Sequence, residues 1–167
     1  SAKSTDGESW RRESTLRGYA FGPGTPGTWD DSGVRDAYVI SDDGGDHMWY
    51  AGNDGDYWQG GYAFRPRGSS EWERHLIPEL EETAPVLTIA GGLFHGSGVT
   101  RPVVERTANG SYSIWYSGNQ NGVARVGRAY GAQPDALNKA PRRPTVGDTL
   151  TFDTQKGDAS QRAIPLD

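Results

Sequence analysis

The 167-residue chain has no cysteine and a single methionine. The first absence excludes disulfides, thiol nucleophiles and cysteine-based zinc sites, and it leaves the redox compartment open. No apolar run approaches the roughly 18 residues that a membrane-crossing helix needs, and no segment keeps a sustained helical period. Clustered basic charge is scarce as well. Seventeen Lys and Arg stand against 22 Asp and Glu for a net charge of −5, and basic residues do not gather beyond short pairs such as Arg142-Arg143. Neither nucleic acid nor an anionic membrane is therefore an expected partner. The chain opens Ser-Ala-Lys without Met or a signal-peptide core, which reads as a processed or partial product.

Turn formers and aromatics are abundant. The 24 Gly and 10 Pro, with only 34% hydrophobic residues, describe many short strands joined by turns. Six Trp and eight Tyr supply core area, since each aromatic buries about 150–250 Å².

Two stretches repeat. Gly33-Val34-Arg35-Asp36-Ala37-Tyr38-Val39-Ile40, then His47-Met48-Trp49-Tyr50-Ala51-Gly52, has a second copy in Gly98-Val99-Thr100-Arg101-Pro102-Val103-Val104-Glu105, then Ser113-Ile114-Trp115-Tyr116-Ser117-Gly118. Gly33 and Gly98 are 65 apart (98 − 33), and Trp49 and Trp115 are 66 apart (115 − 49). A third element follows each copy, Gly61-Tyr62-Ala63-Phe64 and Gly127-Arg128-Ala129-Tyr130, and Gly18-Tyr19-Ala20-Phe21 resembles it upstream. A period of this size marks a solenoid, a propeller or an array, and short alternating runs between Gly, Asn and Asp turns predict meandering strands. A radial stack of antiparallel blades fits best.

In chain order, residues 1–15 form a polar N-terminal segment, residues 16–130 the blades, and residues 131–167 an extended C-terminal segment with a strand near 149–154. Within the first unit, strands are expected near 34–41, 46–52, 59–65 and 71–76, preceded by one at 16–21. A connecting loop spans 77–97, and the second unit has strands near 99–107, 111–117 and 122–129. Trp49 and Trp115 are assigned to packing between blades. The fold class is thus all-β: two four-stranded antiparallel blades plus part of a third.

Val34-Arg35-Asp36, the Trp-Tyr-Ala/Ser-Gly strand endings and Gly61-Tyr62-Ala63-Phe64 resemble the five-bladed β-propeller glycosidases of the arabinanase, xylosidase, invertase and levansucrase superfamily. The resemblance covers roughly residues 16–130. It implies a fragment of a five-bladed propeller, an extracellular setting, an oligosaccharide or polysaccharide ligand, and three carboxylates sharing catalysis. Paired carboxyls, one protonated and one ionised, must flank the scissile oxygen. Asp36 with Arg35 matches the family's Arg-Asp-Pro motif, with Ala37 in place of Pro, and so stands as the catalytic residue the resemblance implies. At the equivalent place one unit on stands Arg101.

Blade topology brings the loops before the first strand and between the second and third to one mouth, so Trp29, Asp30, Trp58 and His95 join Arg35 and Arg101 as expected substrate-binding residues. Apolar rings stack on sugars while fixed donors and acceptors read hydroxyls. Each has a structural alternative: Asp36 as an ion pair with Arg35, Arg101 as a salt-bridged strand residue, Asp30 as a turn cap, His95 as a turn residue. No metal and no cofactor is expected, because the Asp42, Asp43, Asp46 cluster lacks calcium-loop spacing. Two blades alone leave an open face and unpaired edges, so other copies of the chain or further blades are expected partners, and the chain by itself is expected to be inactive. The alternatives to a glycosidase-like propeller are a non-catalytic carbohydrate-binding module and an assembly scaffold.

Overall fold

A computed structural model describes residues 2–12, 19–77, 80–89, 95–108, 110–131 and 134. The described residues are all-β, and none is helical. Eleven strands occur among them: β1 (Ala2–Lys3), β2 (Arg11–Arg12), β3 (Gly33–Ser41), β4 (Gly45–Asn53), β5 (Trp58–Pro66), β6 (Glu73–Arg74), β7 (Leu76–Ile77), β8 (Glu82–Thr83), β9 (Gly98–Arg106), β10 (Tyr112–Gln120) and β11 (Val123–Gly131).

Two antiparallel meanders dominate. Unit one is β3-β4-β5 with short β6 on its edge; unit two is β9-β10-β11. The main sheet is mixed, because β5 and β9 meet in parallel through one residue pair, Trp58 with Gly98. All six long strands have nine residues. Turn chemistry fixes the hairpins: Asn121 and Gly122 both have positive φ (52° and 79°), the two-residue turn whose twist matches the flanking strands.

Each first strand carries a bulge at the same place. In β3 the pairing with β4 shifts between Arg35 and Tyr38; in β9 the pairing with β10 shifts over Thr100 to Val103. The bulged residues Asp36 (φ 55°) and Arg101 (φ 52°) are left-handed, a conformation that costs a non-glycine residue about 1–2 kcal/mol. An extra residue reverses which face a two-residue alternation addresses. Accordingly Val34 packs on one face of unit one, whereas Tyr38 and Ile40 pack on the other. Pro102, equivalent to Ala37, lies in the bulge of unit two, where a missing N–H is tolerated.

The core lies between the units. Trp49 and Tyr62 of unit one meet Val104, Tyr112 and Ile114 of unit two, with Tyr38, Ile40 and Phe64 at the margin. Segment 86–87 runs against β5, where the Gly60 N–H donates to the Leu87 carbonyl (2.8 Å) and the Val86 N–H to the Gly60 carbonyl (2.8 Å). Val86 thereby enters the same core. The reverse face of unit one, Met48, Tyr50 and Ala63, is covered by Phe21, Trp29 and Trp72. Glycine is required at 52 and 61, since a Cβ at either position would run into the Trp29 ring.

Several expectations need correction. The strand expected at 16–21 is absent over its described part, since Tyr19, Ala20 and Phe21 are not in a strand. The strand expected at 71–76 is broken into β6 and β7, with only Ala63 and Phe64 pairing to β6. The loop 77–97 holds the partner strand β8, and the N-terminal segment forms a two-residue hairpin, β1 with β2. Trp115 does not pack between sheets: it is 38% exposed, against 1% for Trp49, because no second sheet among the described residues lies over its face. The strand expected near 149–154 lies outside the described residues.

Candidate functional site

The expected site residues fall into three groups. Arg35, Asp36 and Trp58 come together where the two units join. The Arg35 guanidinium lies 3.7 Å above the Trp58 ring, a cation–π contact, and its Nε is 3.4 Å from Asp36 Oδ2. Trp58 is held by both glycines that open the first strands: a Cβ on Gly33 would sit 3.7 Å from its ring, and one on Gly98 3.7 Å from its own Cβ. Half of the Arg35 side chain and 29% of that of Asp36 remain open to solvent, so a ligand can reach this corner.

Arg101 belongs with this group by topology. Strands β3 and β9 are in contact and run the same way, each starting beside Trp58. Each bulged residue lies three residues beyond the glycine that opens its strand, an exposed cation, Arg101, on one and a half-buried carboxylate, Asp36, on the other. Residues held in a sparsely populated backbone region cluster at functional sites, and here the same strain occurs twice at equivalent positions.

Trp29 and Asp30 are placed elsewhere. Both lie under the reverse face of unit one, where Trp29 stacks on Tyr50 with centroids 5.7 Å apart. Asp30 is wholly buried; it accepts from the Tyr50 hydroxyl (3.0 Å) and from Arg74 Nε (2.9 Å). The Arg74 guanidinium also donates to the Gly22 carbonyl and covers the Phe21 ring at 4.2 Å. Asp30 thus anchors segment 19–32 and leaves no face for substrate. Burial, and then the Asp30 charge, drive the Tyr50 hydroxyl pKa upward.

His95 forms the equivalent pair in unit two. Its Nδ1 lies 3.3 Å from the Tyr116 hydroxyl, the rings meeting edge-on at 5.7 Å. Burial lowers the His95 pKa and pushes the Tyr116 hydroxyl up to about 12. Asp30 and His95 are 65 residues apart (95 − 30), and Tyr50 and Tyr116 are 66 apart (116 − 50). The repeat thus extends into the loops. The Ser32 N–H donates to the Asn53 carbonyl (2.9 Å) just as that of Ser97 does to Asn119 (2.8 Å). The two tyrosines and Arg74 were not among the expected residues, although the offset between the copies was a signal sufficient to pair the tyrosines with Asp30 and His95.

A separate cluster, of residues outside these groups, lies at the far end of unit one. His47 Nδ1 is 2.7 Å from the Tyr62 hydroxyl and its Nε2 is 3.2 Å from Asp42 Oδ2, with Arg106 3.7 Å from the same carboxylate. The Gly44 N–H, ahead of the His47 charge, holds the Asp42 pKa below its usual value. Ser41 and Arg65 do the same for Asp46. These contacts close the β3–β4 turn onto the core. No group of three potential metal ligands occurs among the described residues. No protein-family model matches the chain, and no curated protein matches it.

Proposed function

We propose that the corner formed by Arg35, Asp36, Trp58 and Arg101 is a glycan-binding site of a glycoside hydrolase-like β-propeller, to which this chain contributes two blades within a larger chain or assembly. The observation that supports this reading is the repeated left-handed bulge, with Asp36 and Arg101 at equivalent positions of two strands that start beside Trp58, next to an Arg35 that stacks on the Trp58 ring. The indole ring offers an apolar surface for a sugar face, and the guanidinium and carboxylate offer donors and acceptors to hydroxyls.

The non-catalytic form of this reading is favoured for the chain alone. Hydrolysis needs an acid and a base or nucleophile on either side of the scissile bond. Asp36 supplies one carboxyl, Arg101 occupies the equivalent position of unit two, and Asp30 is committed to Arg74 and Tyr50. The decisive experiment is calorimetric titration with a panel of arabino-, xylo-, fructo- and galacto-oligosaccharides, alongside assay of the matching aryl glycosides. Binding to at least one class, weakened tenfold or more by Trp58→Ala and by Arg35→Ala, with no aryl release, is the expected result. Aryl release abolished by Asp36→Asn would show that a full carboxylate set is present. Absence of binding to every class would overturn the proposal.

A further inference from the structure

The outer edge of unit one is sealed by two later pieces of chain. At Gly60 the N–H donates to the Leu87 carbonyl (2.8 Å) and the Leu87 N–H donates back to the Gly60 carbonyl (3.0 Å). Further along β5, the His75 N–H donates to the Tyr62 carbonyl (3.0 Å), and β6 pairs with Ala63 and Phe64. Residues 60–63 are accordingly buried.

Unit two has the same edge without the seal. Among the described residues β11 pairs only with β10 and ends the main sheet. Gln120 and Val123 flank the two-residue turn as a pair. Alternation from there turns the backbone N–H and C=O of Val123, Arg125, Gly127 and Ala129 toward β10, and those of Ala124, Val126, Arg128 and Tyr130 outward. Val126, Arg128 and Tyr130 are the equivalents of Gly60, Tyr62 and Phe64, 66 residues on (126 − 60). Residues 123–126 are all exposed, Val126 by 70%. Such a row of outward backbone groups is a template for an added strand.

The sequence holds a matching segment. Val86-Leu87-Thr88-Ile89, the stretch at the edge of β5, recurs as Thr149-Leu150-Thr151-Phe152, 63 residues on (150 − 87), close to the offset between the units. We propose that residues 149–152, outside the described residues, add to the outer edge of β11 as the antiparallel fourth strand of unit two, with Leu150 opposite Val126 as Leu87 is opposite Gly60. Val126 stands where unit one has a bare glycine, so Leu150 packs beside its side chain as a cross-strand pair. The chain reaches easily. The Pro134 carbonyl accepts from Trp49 Nε1 (3.3 Å), and the 14 residues 135–148 (148 − 134) span up to about 46 Å, against about 30 Å for the nine residues of β11. This strand takes the edge of unit two and leaves the Trp115 face open to a following blade, and it does not depend on whether the Arg35–Trp58 corner binds sugar.

Amide hydrogen exchange followed by NMR on the full chain tests this. The Val126 N–H should exchange roughly a hundredfold more slowly than an unpaired edge amide, because exchange then requires the strand to open. Leu150→Pro removes the N–H aimed at the Val126 carbonyl and sets ring carbons against β11, and it should return Val126 to the fast rate. Thr151→Pro removes an N–H that faces away from β11, a place where an outermost strand tolerates proline, and should leave Val126 slow. Gly127 and Ala129, bonded to β10, should stay protected in all three proteins and so show that the unit is folded. Fast exchange at Val126 in the unaltered chain would overturn the proposal. Protection that survives Leu150→Pro would overturn it equally, as would protection that appears only as protein concentration rises, which would assign the edge to another molecule.

Discussion

Units one and two have the same three-strand path, the same bulge and the same loop hydrogen bonds, yet their equivalent residues do different work. Trp49 is sealed between the two units while Trp115 supports an arginine at the surface. Asp30 grips an arginine under a packed segment while His95 is half-buried beside Tyr116. Backbone geometry therefore follows the repeated turn and strand residues, whereas the energetic role of a side chain follows what lies across from it.

The sharpest way to break that comparison is to truncate the paired tryptophans. Trp49→Ala removes a wholly buried ring and is expected to cost about 3–5 kcal/mol. Trp115→Ala, measured in dilute solution, should cost under about 1 kcal/mol, as exposed changes do. Urea denaturation of both variants checks this, and equal losses would mean that both faces are covered.

The loop anchors should separate nearly as widely. Asp30→Ala leaves the half-buried Arg74 without its counter-ion, with an expected loss of about 3 kcal/mol. His95→Ala forfeits one hydrogen bond to a tyrosine and should cost about 1 kcal/mol. Protease sensitivity within residues 19–32 would rise in the first variant and stay unchanged in the second.

Acid should reach the two units at different pH. Burial depresses the His95 pKa in the fold, so the unfolded chain takes up its proton first and stability falls as pH drops through 6.5 toward the lower folded value. Asp42 and Asp46 are also depressed. Their contribution is complete above the unfolded value of 3.8 and is lost as pH falls below it toward the folded values. Thermal melts from pH 7 to 3 should show two successive declines, and His95→Gln should remove only the first.

The smallest effect concerns the bulges. Arg101→Gly relieves a left-handed non-glycine residue and should stabilise the fold by roughly 1 kcal/mol. Asp36→Gly should gain less, because it also loses the Arg35 pair. If the bulges serve ligand binding, both variants bind glycan more weakly while melting no lower, and calorimetry with thermal denaturation reads the two outcomes together.

Much of this architecture was legible beforehand. The 65-residue offset, the Gly-bounded alternating runs and the Asn-Gly turns specify six long strands in two equivalent meanders, and five of the six bounds agree closely with β3, β4, β5, β9 and β11. The short strands were not legible, because two-residue pairings such as Glu73–Arg74 depend on a neighbour already in place. Among the candidate site residues, Arg35 and Asp36 were singled out by the resemblance to the Arg-Asp-Pro motif and Trp58 by its loop position, and the structure brings these three side chains together. Trp29 and Asp30 were misplaced because the loop before β3 folds beneath the sheet, and no local pattern distinguishes a Trp-Asp pair that packs inward from one that faces a ligand.

What the sequence determined by itself is the repeat, the all-β class and the positions where the chain must turn, since these depend on backbone preferences of Gly, Asn and Pro and on alternation within a few residues. The tertiary structure alone decided which face each residue serves. A single inserted residue at Asp36 and at Arg101 reverses the alternation, and whether the resulting face is core or surface depends on a sheet tens of residues away.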